Sequence, residues 1–190
     1  GASLSSRKVV NMQDVIAQIG RHRVVPVVAL DEADQAGALA DALVAGGLLV
    51  AEITFRTEAA EAAIRALANR SDMLLGAGTV LTAAQAKQAI DAGARFIVSP
   101  GFSGEVVDYC IERGVAVIPG CATPSDLHQA VARDLSVVKF FPAEPMGGIK
   151  MLKALSAPFR QMQFVPTGGS NQHNLPSYLA DEAVLACGGS

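Results

Sequence analysis

The stretch Leu48–Asn69, LLVAEITFRTEAAEAAIRALAN, changes character at its middle. Its first seven residues, 48–54, are a short apolar run of the kind that forms a buried strand. Residues 58–69 are alanine-rich and helix-forming. Between them Thr57-Glu58 carries a helix-start signal. Read outward, the same unit recurs along the whole chain. Apolar runs lie at 24–30, 48–54, 73–76, 95–98, 115–118, 137–141, 163–165 and 184–187, their starts 20 to 26 residues apart. Helix-forming stretches fill the intervals at 33–45, 58–69, 83–92, 104–113, 125–133 and 147–156, with a shorter one near 174–180. An amphipathic stretch, 9–19, precedes the first strand.

Punctuation agrees with this division. Ala45-Gly46-Gly47, Ala92-Gly93-Ala94 and Arg113-Gly114-Val115 place glycine where a left-handed residue ends a helix. Thr82, Ser103-Gly104 and Thr123-Pro124-Ser125-Asp126 start helices. Strand–helix alternation calls for a parallel sheet. Eight units exceed the usual five or six strands of an open doubly wound sheet and favour a closed (β/α)8 TIM barrel. The expected organisation is a flexible tail or cloning remnant over 1–8 and a single α/β barrel domain over 9–190. The helix at 9–19 precedes the first strand, and the sequence stops at Gly188-Gly189-Ser190, before the last outer helix, which is expected to follow unless it is missing by design.

Composition narrows the function. The 190 residues are 51% hydrophobic and 17% charged, enough for one sizeable core. Mean hydropathy is +0.34, yet no apolar run approaches a membrane span. Fifteen basic against 18 acidic residues give −3, with aromatics at 5% and no Trp, which excludes a basic nucleic-acid groove with stacking platforms. Cys110, Cys121 and Cys187 are scattered in apolar segments and read as reduced residues of a cytoplasmic protein. His22, His128 and His173 share no ligand spacing, so no metal is expected.

In a barrel, alternate strand residues face inward. Along 48–56 one set is Leu49, Ala51, Ile53 and Phe55. The other is Leu48, Val50, Glu52, Thr54 and Arg56, which puts a carboxylate and a guanidinium on one face. Read blandly, the two form a buried or rim ion pair. In the sixth run Lys139 shares a face with Val137 and Phe141 and is the only charge before Pro142. A lysine there is costly unless paired or neutral. Desolvation and Arg56 would lower its pKa, whereas ionised Glu52 would oppose them. A neutral amine can attack a carbonyl, and a neighbouring carboxyl can move the protons that imine chemistry requires. Pro166-Thr167-Gly168-Gly169-Ser170 and Gly188-Gly189-Ser190 follow the seventh and eighth strands, where barrels often bind phosphate through backbone N–H groups.

Gly47-Leu48-x-x-x-Glu52-Ile53-Thr54-Phe55-Arg56-Thr57 and Val138-Lys139-Phe140-Phe141-Pro142-Ala143-Glu144 with Gly147-Gly148 resemble the two signatures of the 2-keto-3-deoxy-6-phosphogluconate and 4-hydroxy-2-oxoglutarate aldolases. Val25-Pro26-Val27, Gly76-Ala77-Gly78-Thr79, Ser99-Pro100-Gly101, Ile118-Pro119-Gly120 and the two glycine segments are similar too, in the family's order, over about residues 12 to 190. The resemblance implies a class I aldolase with no cofactor and no metal. Lys139 would form the imine and Glu52 act as general acid and base. Arg56 and Thr79 would hold the pyruvyl carboxylate, Pro100 and Phe141 shape the pocket, and Thr167 line it. Gly168, Gly169 and Ser190 would contact a phosphate, with Gly188 and Gly189 in the same cradle. A homotrimer is implied, cleaving its phosphorylated 2-keto acid to pyruvate and glyceraldehyde 3-phosphate.

The chain departs from the family pattern in three places. Asp134 and Ser170 stand where glycine and an aliphatic residue are usual, and the family's chain continues past the position of Ser190 into a final helix. The rival readings are an aldolase for unphosphorylated 4-hydroxy-2-oxoglutarate, a non-catalytic trimeric scaffold, and a phosphosugar isomerase. A scaffold or an isomerase has no need of a buried amine.

Overall fold

The computed structural model describes residues 4–190, with side chains from residue 11 onward. Of the tail set apart as 1–8, residues 1–3 lie outside the described residues and the remainder opens helix α1 (Leu4–His22), which is longer than the stretch 9–19. Strands β1 (Val24–Val28), β2 (Val50–Thr54), β3 (Leu74–Gly78), β4 (Phe96–Val98) and β5 (Ala116–Ile118) run parallel in one sheet with β9 (Cys187–Gly189), in the order β5-β4-β3-β2-β1-β9. Strands β6 (Gly120–Cys121), β7 (Val137–Phe140) and β8 (Gln163–Pro166) form a second parallel set.

The two sets make one ring. Only Pro119 separates β5 from β6, so they are two pieces of the fifth barrel strand, broken where proline removes a backbone N–H. At the other seam, Phe164 bridges to Val184 and Thr167 to Gly188, which joins β8 to β9. The result is the expected eight-stranded parallel barrel. Outside it lie a 3-10 turn (Ala33–Gln35) and helices α2 (Ala36–Ala45), α3 (Ala60–Leu67), α4 (Ala83–Ala92), α5 (Gly104–Glu112), α6 (Pro124–Val131), α7 (Gly148–Ser156) and α8 (Leu175–Leu179).

Helix ends explain several boundaries. Thr82 and Ser103 accept from the N–H of Gln85 and Val106, and Thr123 and Asp126 cap α6 reciprocally. Thr57 does not cap α3: its hydroxyl donates to the Leu30 carbonyl, and the helix starts at Ala60 instead. Asp134 adopts φ 57 in the turn before β7, a left-handed conformation that glycine enters freely and Asp tolerates.

Three apolar clusters divide the molecule. Two lie between strands and helices, one holding Ala51, Ile53, Leu75 and Ile97, the other Val138, Phe140, Leu152 and Phe164. The third fills the barrel interior with Val25, Val50, Leu74, Phe96, Val98, Ile118, Val137 and Val165. Val15 and Ile19 of α1 join this third cluster, so the helix closes the barrel at the N-terminal ends of the strands. Only Val25 among the five β1 residues is fully buried, whereas β2 and β3 are buried throughout.

Candidate active site

Val50 and Val137 belong to the interior cluster, while Ala51, Ile53, Val138 and Phe140 pack toward the helices. Strand alternation therefore turns Glu52, Thr54 and Lys139 inward, one layer above that apolar floor. Glycine dominates the rest of this upper layer. An ideal Cβ on Gly76 would sit 2.3 Å from the Phe96 ring, and one on Gly78 2.3 Å from Glu52 Oε1. At Gly120, which is in register with Lys139, a Cβ would fall 2.0 Å from the Pro100 carbonyl oxygen. At Gly188 it would meet Thr167 Oγ1 at 2.4 Å. Each missing side chain thus makes room for a neighbour's group.

Lys139 is 4% exposed, and its amine stands 4.6 Å from the centroid of the Phe141 ring. Burial pushes its pKa down and Arg56 pushes the same way; Glu52 opposes them and does not prevail. Glu52 is also 4% exposed, and burial raises its carboxyl above the ordinary value despite Lys139 and Arg56. Burial thus moves both groups toward their uncharged forms, the amine's pKa down and the carboxyl's up. Glu52 Oε1 and the Thr54 hydroxyl are buried without a hydrogen-bond partner among the described residues. Buried polar atoms are normally paired, so two orphans on one inward row mark a place where substrate or water completes the bonding. Sequence reading had placed Thr54 on this face but given it no part in the site.

Arg56 is exposed at the rim and is not ion-paired with Glu52. Its Nε donates instead to Thr79 Oγ1 at 3.3 Å, in a residue held at φ 52 just past β3. Two donors therefore stand together at the mouth. Thr167 is buried in the wall, its hydroxyl near the Val165 carbonyl.

Gly168 and Gly169 have φ values of 103 and 83, which side chains adopt with difficulty. The Gly168 carbonyl accepts from Glu144 N–H and the Gly169 carbonyl from Asn174 Nδ2, so the loop is anchored through its oxygens. The N–H groups of Gly169 and Ser170 have no acceptor among the described residues. Ser170 Oγ is likewise buried and unpartnered. Gly189 borders open space and Ser190 is exposed at the same mouth.

The cysteines take no part. Burial pushes Cys110 and Cys121 up to about 12 and Cys187 up to about 11, keeping all three as thiols. No group of three His, Cys, Asp or Glu among the described residues is placed to hold a metal. A groove of about 880 Å³ opens at the opposite end of the barrel between α1 and the strand starts, and neither Glu52 nor Lys139 lines it. No helix among the described residues is long and apolar enough to cross a membrane.

Residues 15–190 match the sequence model of the family described as "Aldolase: KDPG and KHG aldolase". The 2-dehydro-3-deoxy-phosphogluconate aldolase of Treponema pallidum is 49% identical over 94% of this chain and 86% of that protein. The 2-keto-3-deoxy-6-phosphogluconate aldolase of Zymomonas mobilis, solved with 3-phosphoglycerate, superposes with a TM-score of 0.90 at 38% identity, covering 94% of this chain and 86% of that one. A KDPG aldolase from Legionella pneumophila, in which pyruvate was captured as a covalent carbinolamine, gives a TM-score of 0.89 at 42% identity over 93% and 86% of the two chains.

Proposed function

The chain belongs to the KDPG and KHG aldolase family, and from that premise we propose that it cleaves 2-keto-3-deoxy-6-phosphogluconate to pyruvate and glyceraldehyde 3-phosphate through a Schiff base on Lys139. The observation that carries this reading is the buried, depressed amine of Lys139 beside a carboxyl with a free oxygen, in a layer otherwise lined by glycine.

Lys139, in the neutral form that burial promotes, adds through its nitrogen lone pair to the C2 carbonyl. Glu52 relays one amine proton to the carbonyl oxygen, giving the carbinolamine, and then gives its own carboxyl proton to the departing hydroxyl, leaving a protonated imine, water and a carboxylate. The Glu52 carboxylate takes the C4 hydroxyl proton as the C3–C4 bond breaks, and the protonated imine receives the bonding electrons, releasing the aldehyde and an enamine. Proton return to C3 and hydrolysis give pyruvate and free Lys139. Arg56 and Thr79 pair at the mouth and suit the substrate's C1 carboxylate. Pro100, Phe141 and Thr167 bound the cavity. The free N–H groups of Gly169 and Ser170, with Gly168, Gly188, Gly189 and Ser190 around them, suit the phosphate.

A homotrimer and a cytoplasmic location belong to the same reading. Light scattering of the purified protein measures the first.

The deciding experiment is borohydride reduction in the presence of pyruvate, followed by peptide mapping. The reading requires a reduced pyruvyl adduct on Lys139; an adduct on Lys150 or Lys153, which lie on α7, removes it. Turnover of 2-keto-3-deoxy-6-phosphogluconate against 4-hydroxy-2-oxoglutarate then separates the two aldolase activities. Gly169→Val should lower kcat/KM for the phosphorylated substrate alone.

A further inference from the structure

The loop that follows the Schiff-base strand lies along the loop proposed to bind phosphate. Thr167 N–H donates to the Phe140 carbonyl at 2.9 Å, Ala143 N–H to Thr167 at 2.8 Å and Glu144 N–H to Gly168 at 3.0 Å. This short ladder brings an acidic side chain beside a site meant for an anion. The stem of Glu144 packs directly against Gly169: an ideal Cβ on Gly169 would meet Glu144 Cβ and Cγ, each at 2.7 Å. The carboxylate is turned elsewhere. Its oxygens lie 3.3 and 3.4 Å from the Cβ position of Gly148, and the Tyr178 hydroxyl donates to Oε1 at 2.6 Å. Tyr178 is 1% exposed, on α8, and fixed among the apolar residues of the second cluster.

A carboxylate beside a phosphate is repulsive at the distances found within one loop cluster. A hydrogen bond to a charged acceptor is among the strongest contacts a buried hydroxyl can make. We propose that Tyr178 is a positioning residue for substrate specificity: its hydroxyl clasps Glu144 against Gly148 and so keeps that charge out of the Gly168–Gly169 anion site. The inference rests on the phosphate reading of those glycines. It adds to that reading a residue that touches neither substrate nor the reacting atoms.

Two properties follow from the geometry. Loss of the hydroxyl frees the Glu144 carboxylate to rotate about a stem that already borders Gly169, so binding of the phosphorylated substrate suffers. Removal of the Glu144 charge makes the clasp unnecessary, so a second substitution should restore what the first one lost.

The test is steady-state kinetics of the full-length wild type, Tyr178→Phe, and Tyr178→Phe with Glu144→Gln, each on 2-keto-3-deoxy-6-phosphogluconate and on 4-hydroxy-2-oxoglutarate. Phe keeps the buried ring, and circular dichroism checks the fold. Tyr178→Phe should raise KM for the phosphorylated substrate about tenfold, the scale of one hydrogen bond to a charged group. Its kcat on that substrate and both constants on the unphosphorylated one should hold. The double variant should return KM to near the wild-type value. Equal losses on both substrates, or no recovery in the double variant, overturn the clasp and make Tyr178 a packing residue. A wild type that handles both substrates alike, with Gly169→Val costing both equally, overturns the phosphate reading itself, and the clasp with it.

Discussion

Gly78 and Glu52 share one volume. The backbone of β3 passes so close to the Glu52 carboxyl that a methyl group on Gly78 would lie 2.3 Å from Oε1 and 2.9 Å from Cδ. The acid is thus aimed by the absence of a side chain on the neighbouring strand. Gly78→Ala should displace the carboxyl and lower kcat by at least about 10²-fold, the range of a misplaced acid–base group. Single-turnover kinetics would measure it; an undiminished kcat would mean that the carboxyl's position is unimportant.

Glu52→Gln keeps the shape and removes the exchangeable proton. Turnover should fall by about 10²-fold or more. Slow accumulation of the borohydride-trapped adduct would place the defect in proton transfer. A variant with the wild-type rate would leave Glu52 as no more than a neutralising neighbour of Lys139.

Lys139→Met tests the buried charge through stability. The folded protein holds Lys139 below its ordinary 10.5, so in the interval between its folded pKa and 10.5 the unfolded chain binds more protons. Wild-type stability therefore gains from this residue as pH rises through that interval, and below it carries the whole penalty. Lys139→Met should have the higher Tm at pH 6, with the advantage shrinking toward pH 10.5. Calorimetry across that range checks the sign, and an advantage that does not change with pH would count against a depressed amine.

Asp134 occupies a left-handed turn, φ 57, at the end of the barrel away from the chemistry. Asp134→Val should cost about 1–2 kcal/mol in urea unfolding, the penalty of a branched side chain in that region. Asp134→Gly should cost far less. Neither should alter kcat.

Prolonged chelation should leave aldol cleavage unchanged, since the proposed chemistry runs on an amine and a carboxyl. Loss of activity with EDTA, restored by zinc, would point to another mechanism.

The inward row was legible because its signal is local. A period of two puts Glu52, Arg56 and Lys139 at defined positions, and a lysine between Val138 and Phe140 announces itself. The strand limits were less so. The last strand, placed at 184–187 from its apolar run, forms at Cys187–Gly189, because β1 supplies partners for Gly188 and Gly189 whatever their own preferences. The third likewise continues through Gly78, paired with Thr54. Thr57 read as a cap from its sequence neighbours, but its true partner is the carbonyl of Leu30, 27 residues away. The Tyr178–Glu144 contact spans 34 residues between a loop and a short helix, and no periodicity or spacing encodes such a meeting.

The borrowed volumes in the upper barrel set how this chain can change. Gly78 is tied to Glu52, Gly120 to the backbone of Pro100, and Gly188 to Thr167. Enlarging Gly78 or Gly188 alone evicts a neighbouring side chain, and shrinking that side chain alone leaves a hole, whereas Gly120 faces backbone that no partner substitution clears. Routes to new substrates at this end are therefore epistatic, opening only when both members of a pair change together. Libraries that randomise single positions will read these glycines as immutable, while libraries that vary Gly188 with Thr167 have room to reshape the pocket.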